Sequence, residues 1–348
     1  MMITITKQQG FSVLEILISL MVGLVLLAGV LAVFVGMKST TTETSSYGEM
    51  QENGRFAINI LTDELLRQGF WGDLAAEMDA ALLIAPAPVP PVNDCIGAGV
   101  NNGSFPLDVG AFRALWGVNL ASENAMGCIS DAKIGSDLIQ IKRVISRPIT
   151  PPVNAASLAD NRYYLMANAT SAQIFAGDGA IPTIENSQTW EYQHHIYYIR
   201  EEQQGDITIP VLMQGRLRNN GATMINFQPL IEGVEMIRFW YGIDTDIDAD
   251  NNDYSTGTGN GDGVVDAFIP ARDMTQALWD NDGSKILSVR MYVLVRSILP
   301  DSNYVNNNVY QLGGNNVIDR FDASGDNFRR LLFSSTVLLQ NAKVKVWN

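Results

Sequence analysis

Asp244, Asp246, Asp248, Asn260, Asp262 and Asp266 set carboxylates and an amide in a short tract rich in glycine, the donor chemistry a hard, oxygen-seeking cation requires. Calcium is the one cofactor these residues suggest, and Gly263 permits a sharp turn among them. A standard calcium loop opens on an acid, and Thr258 stands there instead. The competing reading is a solvated acidic loop. His194 and His195 are the only histidines. Neighbours on a strand point to opposite faces, so the two would not share a metal ion. Cys95 and Cys128 have no CxxC or zinc-type spacing, and a single disulfide is their natural state outside the cytoplasm. The sequence contains no GxSxG elbow, P-loop or HExxH motif, so no enzyme activity is expected.

The remaining chemical anomaly is Glu15. Between Gln8 and Met37 it is the only charged residue, in a segment otherwise fit for lipid. An ionised acid inside a bilayer costs a few kcal/mol on insertion scales, so Glu15 needs a partner. As a helix, residues 11–37 would reach about 40 Å, enough to cross a hydrocarbon core of about 30 Å. Lys7 precedes the apolar run and predicts a cytoplasmic N-terminus with the rest exported.

The elements that must position these groups follow from periodicity. The stretch 38–46 is rich in Ser and Thr, poor helix formers that can fray or melt. Tyr47, Met50, Gly54, Ala57, Leu61 and Leu65 then recur every three or four residues, the signature of one helix face. Asp63 and Arg67 lie four apart, and Gly69 supplies a stop. One long helix is therefore expected from about Ser12 to Gln68, its second half laid on a sheet. Strand-like runs occupy 138–145, 195–200, 234–241, 286–295, 331–339 and 343–347, with no comparable helix between them. That order predicts an α+β fold with a mainly antiparallel head. Residues 85–91 read as a stiff proline-rich connection. A net charge of −14 argues against general nucleic-acid binding.

Lys7-Gln8-Gln9-Gly10-Phe11-Ser12-Val13-Leu14-Glu15, followed by an apolar helix, resembles the class III signal of type IV prepilins and pseudopilins. The resemblance implies cleavage between Gly10 and Phe11 by the prepilin peptidase and N-methylation of Phe11. It also implies that Glu15 pairs with the N-terminal amine of a neighbouring subunit during assembly. Residues 51–57 and 65–72 are similar to the PilW subgroup of minor pilins, as are Ile231-Glu232-Gly233-Val234-Glu235 with 241–246 and the closing 328–341. The subgroup's usual cysteine after the aromatic-glycine pair is replaced by Asp73, which leaves its disulfide pattern open here.

The expected organisation is a cleaved leader at 1–10, a membrane or pilus-core half-helix at 11–37, a periplasmic half-helix at 38–69 and a β-rich head at 70–348. The fold implied is type IV pilin-like. The expected role is a minor pilin in pilus initiation or at the tip, moving from the inner membrane into the pilus. Its expected partners are other major and minor pilins, the prepilin peptidase, the inner-membrane assembly machinery and a tip adhesin. The alternatives are a type II secretion pseudopilin and a membrane-tethered adhesin or DNA-uptake module. Whether motility, attachment, secretion or DNA uptake is served stays open.

Overall fold

The computed structural model describes residues 10–219, 223–244, 263–280, 285–314 and 316–341. Contacts divide the chain into two compact units, Met1–Glu49 and Met50–Asn348. The helix α1, Val13–Leu66, is 54 residues long and contributes to both. Its N-terminal portion is long and apolar enough to cross a membrane. In the isolated chain the apolar side chains from Val13 to Met37 are exposed. The Ser/Thr stretch stays within the one long helix expected. Thr40, Thr41 and Thr44 turn their hydroxyls back onto the carbonyls of Gly36, Met37 and Thr40 at 2.8–3.1 Å, and the helix stays unbroken there.

The second unit holds thirteen strands among the described residues, all antiparallel in their pairing. The larger sheet contains β1 (Leu115–Asn119), β2 (Asp137–Val144), β3 (Tyr163–Ala167), β4 (Ala172–Ala176), β5 (Gln188–Gln204), β6 (Ile207–Asn219) and β7 (Thr223–Glu232). The smaller one runs β13 (Arg330–Leu338), β10 (Lys285–Arg296), β8 (Val234–Asp244) and β9 (Ala267–Pro270). A short helix α2 (Gln276–Asp280) and a hairpin of β11 (Val309–Gln311) and β12 (Arg320–Asp322) complete it. One long apolar helix with an antiparallel head is the α+β, pilin-like arrangement expected. Strands β3, β4, β6 and β7 lay in sequence that offered no clean alternation: β6 includes Pro210 and Gly215, and three arginine or glutamine residues share one of its faces. The run 343–347 lies outside the described residues.

The two sheets are joined by buried polar groups as well as by apolar packing. Asp137 of β2, 2% exposed, accepts from Phe239 N at 2.7 Å and from Arg238 Nη1 at 3.1 Å on β8. Burial pushes its carboxyl up despite Arg238. Gly233, with φ +82, takes the chain from β7 directly into β8 through a backbone shape that side chains rarely adopt.

Within this unit the end of α1 is seated on both sheets. Met50, Gly54, Ala57, Leu61 and Leu65 are buried, as the expected stripe requires. Asn53 Nδ2 donates to Glu232 O at 3.1 Å. Asp63 and Arg67 form the anticipated surface pair at 2.6 Å. The helix stops at Gly69, whose φ is +63, and Gly69 N donates to Lys142 O at 3.0 Å. Asn341 Nδ2 donates to Gln68 O at 3.0 Å, satisfying a carbonyl that the helix end leaves open.

Gly54 is the tightest point on the seated face of α1. A Cβ there would lie 2.1 Å from Cε2 of Phe333 on β13. A mid-helix glycine costs about 1 kcal/mol relative to alanine, so this one is explained by the ring that fills its space. Gly54→Ala is therefore expected to destabilise the protein by about 1–3 kcal/mol despite its better helix propensity. In Phe333→Ala, the same change should become neutral or stabilising. A double-mutant cycle by chemical denaturation checks this; additive effects would remove Phe333 as the cause.

Candidate assembly segment and the polar core of the head

The segment expected to act in assembly begins the helix. Gly10 and Phe11 are exposed, and a Cβ on Gly10 would meet nothing. Ser12 is the N-cap of α1 and Glu15 its third helical residue. Glu15 Oε2 accepts from Ser12 N at 2.9 Å and from Ser12 Oγ at 3.1 Å, while Ser12 Oγ accepts from Glu15 N at 3.2 Å. This is a reciprocal capping box. It places a carboxylate at the positive end of the helix dipole, where it stabilises the N-terminus. Its signal, Ser-x-x-Glu before an apolar run, stands in the sequence at 12–15. Both bonds fall on Oε2, so within the described residues the carboxylate keeps capacity to accept from another group.

In the head, the strand period divides the polar residues of the large sheet. On β5, Glu191, Gln193 and His195 face one way, and Tyr192 and His194 the other. The registers Arg143↔Gln193 and His195↔Arg216 put Arg143 and Arg216 on the first face. Glu64 of α1 reaches that face. Its carboxylate accepts from Arg143 Nε and Nη2, each at 3.0 Å, and lies 3.0 Å from His195 Nδ1. Burial raises the Glu64 carboxyl, but His195 and Arg143 outweigh it and hold the group well below the usual carboxylate range.

The opposite face carries a second polar group. His194 Nδ1 is 3.0 Å from Ser104 Oγ, which in turn donates to Asp94 Oδ1 at 2.7 Å. Lys142, fully buried beside them, donates to Asn102 O at 2.9 Å and Arg113 O at 2.7 Å and lies 4.7 Å from the Phe112 ring centre. Burial drives the Lys142 amine well below its ordinary value, with Asp94 opposing and Arg113 reinforcing the shift. Burial, Lys142 and His195 likewise hold His194 neutral. Serine, histidine and aspartate thus meet in an order unlike a hydrolytic triad: Ser104 gives its proton to Asp94, not to histidine, and is wholly buried. The set fastens the loop 94–104 to the sheet. The histidines point to opposite sides, as their adjacency required.

Cys95 and Cys128 are joined in a disulfide with Cα atoms 5.1 Å apart. It ties the loop carrying Asp94 to the turn at 125–129. Among the calcium candidates, Asp246, Asp248, Asn260 and Asp262 lie outside the described residues. Asp244 is buried at the end of β8 and accepts from Gly263 N at 2.8 Å, and Asp266 N donates to Ile243 O at 2.9 Å. These bonds close the two described ends of the tract on β8. Among the described residues no group of three or more His, Cys, Asp or Glu side chains is placed to hold a metal ion.

The residues similar to minor pilins converge where the helix is seated. Asn53 meets Glu232, Gly54 meets Phe333, and Asn341 meets Gln68. Arg330 Nη2 donates to Glu235 Oε1 at 3.0 Å and its Nε to Oε2 at 2.5 Å, a buried pair joining β13 to β8. Residues 196–341 match the family model of the type IV pilus-assembly protein W, PilW. The match supports a PilW-type pilus protein. It spans the second half of β5 through β13 and includes the stretches 231–235 and 328–341. PilW is a pilus-assembly component rather than a known enzyme family, and the match supports involvement of the chain in type IV pilus assembly. No curated protein and no solved structure matches the chain.

Two measurements test this arrangement. A carboxyl with a depressed folded-state pKa contributes stability above its unfolded value, 4.5 for Glu64, and loses it as pH falls from there toward the folded value. Unfolding free energy should therefore fall below pH 4.5, and less steeply in Glu64→Gln. That variant should lose about 3 kcal/mol at neutral pH, because it leaves Arg143 buried without its carboxylate. Reducing the Cys95–Cys128 bond, or Cys95→Ser, should lower stability by about 4 kcal/mol in the chain-entropy estimate for residues 33 apart. Equal melting temperatures with and without reductant would contradict it.

Proposed function

We propose that the protein is a minor pilin that helps initiate a type IV pilus or sits at its tip. The observation that carries this reading is the start of α1: an exposed Gly10-Phe11 pair, then a capped apolar helix with a carboxylate on its third residue. In this reading the prepilin peptidase cuts between Gly10 and Phe11, and Phe11 becomes the N-methylated first residue. The apolar helix rests in the inner membrane with the head in the periplasm, and later packs against the helices of other pilins. Glu15 then accepts from the N-terminal amine of a neighbour through the capacity that the capping box leaves open. A head as large as the second unit would crowd a filament shaft, which favours the priming or tip position. The family match favours a pilus over a secretion pseudopilus.

Mass spectrometry of sheared pili from a tagged strain should find the protein with methylated Phe11 at its N-terminus. Retention of Met1 on assembled protein would overturn the cleavage assignment. Glutamine can replace glutamate in a capping box but carries no charge. Glu15→Gln should therefore keep membrane insertion at equal expression and lose recovery in pili, and Glu15→Ala should behave the same or worse. Wild-type recovery of Glu15→Gln would remove the amine pairing and leave capping as the function of that residue.

A further inference from the structure

On the helix-facing side of the large sheet lies a cleft of about 290 Å³ that none of the assembly contacts uses. It forms where β5 changes partners. The register with β3 ends at Tyr163↔Tyr192, and that with β6 begins at Arg216↔His195. Between them, Gln193 and His194 have β2 on one side and no paired strand on the other. The outer end of the gap is closed by Asn219 N donating to Asn161 O at 3.2 Å.

Four arginines converge on this break: Arg143 from β2, Arg162 preceding β3, and Arg216 and Arg218 from β6. Among the described residues two carboxylates line it with them. Glu64 is engaged by Arg143 and His195, and Glu191 by Arg162 and Gln193. The cleft therefore carries a surplus of two positive charges in a chain whose net charge is −14. Arg143 is 4% exposed, and its Nη1 has no hydrogen-bond partner. A buried guanidinium nitrogen left unpaired is costly, and it points to a missing acceptor. Arg216 donates only to the neutral amide of Gln214, and the Arg218 guanidinium has no hydrogen bond to any described residue. Burial and the charges of Arg216 and Arg162 depress the Arg218 guanidinium, against the opposing charge of Glu191.

We propose that this cleft binds an oxyanion, a carboxylate or phosphate group, held by the guanidinium groups of Arg143, Arg216 and Arg218. Residues 216 and 218 are two apart on one strand and so share a face, and planar guanidinium forks match the two oxygens of such a group. The anion would neutralise the surplus charge and supply the acceptor that Nη1 lacks. The same chemistry could come from a free inorganic anion or from an acidic side chain of a partner polypeptide.

The test is thermal unfolding of the full chain in neutral detergent, titrated with inorganic phosphate and, separately, with a capped triaspartate peptide. Sodium chloride at equal ionic strength is the control for screening. Saturable stabilisation beyond chloride is expected with at least one probe. Phosphate alone would mark a free-anion site, the peptide alone a polypeptide carboxylate, and both a general oxyanion cradle. Arg216→Gln with Arg218→Gln should weaken that binding by about tenfold or more, given the strength of charge-assisted hydrogen bonds. Without anion this double variant should melt no lower than the parent, since it relieves repulsion. If it does melt lower, Arg218→Gln alone, at a half-exposed site, supplies the comparison. No stabilisation beyond chloride by either probe would overturn the proposal, and so would a shift that survives both variants.

Discussion

The seating of α1 on the head is the constraint on which the other features depend. A helix laid across two sheets can be held by apolar burial alone, but apolar contact fixes neither register nor rotation. Here both are fixed. Gly54 admits only the Phe333 ring, so the helix cannot slide without losing that close approach. Ten residues later Glu64 meets Arg143 and His195, a charge that is tolerable in the interior only with those two partners in place. Asn53 and Asn341 tie the backbone at either side. The two contacts engage different sheets, so docking the helix also fixes the small sheet relative to the large one within the second unit.

The chain's periodicities made part of this legible. The apolar run, the stripe at three- and four-residue spacing and the glycine stop marked α1 to within two residues at each end, because all three are local signals. The adjacency of His194 and His195 was enough to assign them to opposite faces, since the period of a strand is two. Strands β6 and β7 were obscured for a physical reason: β6 presents Gln214, Arg216 and Arg218 on one face, so its alternation reads as polar rather than as half-buried. The Glu64 pair and the arginine cleft were not legible at all. Their members are separated by up to 154 positions, from Glu64 to Arg218, and only the strand registers bring them together.

The stretches similar to PilW also gain a physical meaning from their placement. They are far apart in the chain, yet 51–57, 231–235 and 328–341 meet where α1 is seated against β8 and β13. The tract 73–230 builds most of the larger sheet and the disulfide-bonded loops. The same tract also supplies part of the seat, since Arg143 and His195 hold Glu64 and the Lys142 carbonyl accepts from Gly69 N.

The helix start poses the complementary problem. From Val13 to Met37 the side chains are apolar and unburied in the single chain, so water is the wrong solvent for them, and lipid or other apolar helices must replace it. Glu15 is the exception within that surface. Its capping bonds lower the cost of carrying a carboxylate into such an environment, since Ser12 supplies two donors from its own chain. They do not neutralise the charge. In the proposed reading, a carboxylate half-satisfied by its own helix and placed at the positive end of the helix dipole waits in the membrane, and it still gains when the amine of a neighbouring subunit arrives. That intermediate state is what a subunit needs if it is to be stable before assembly and more stable after it.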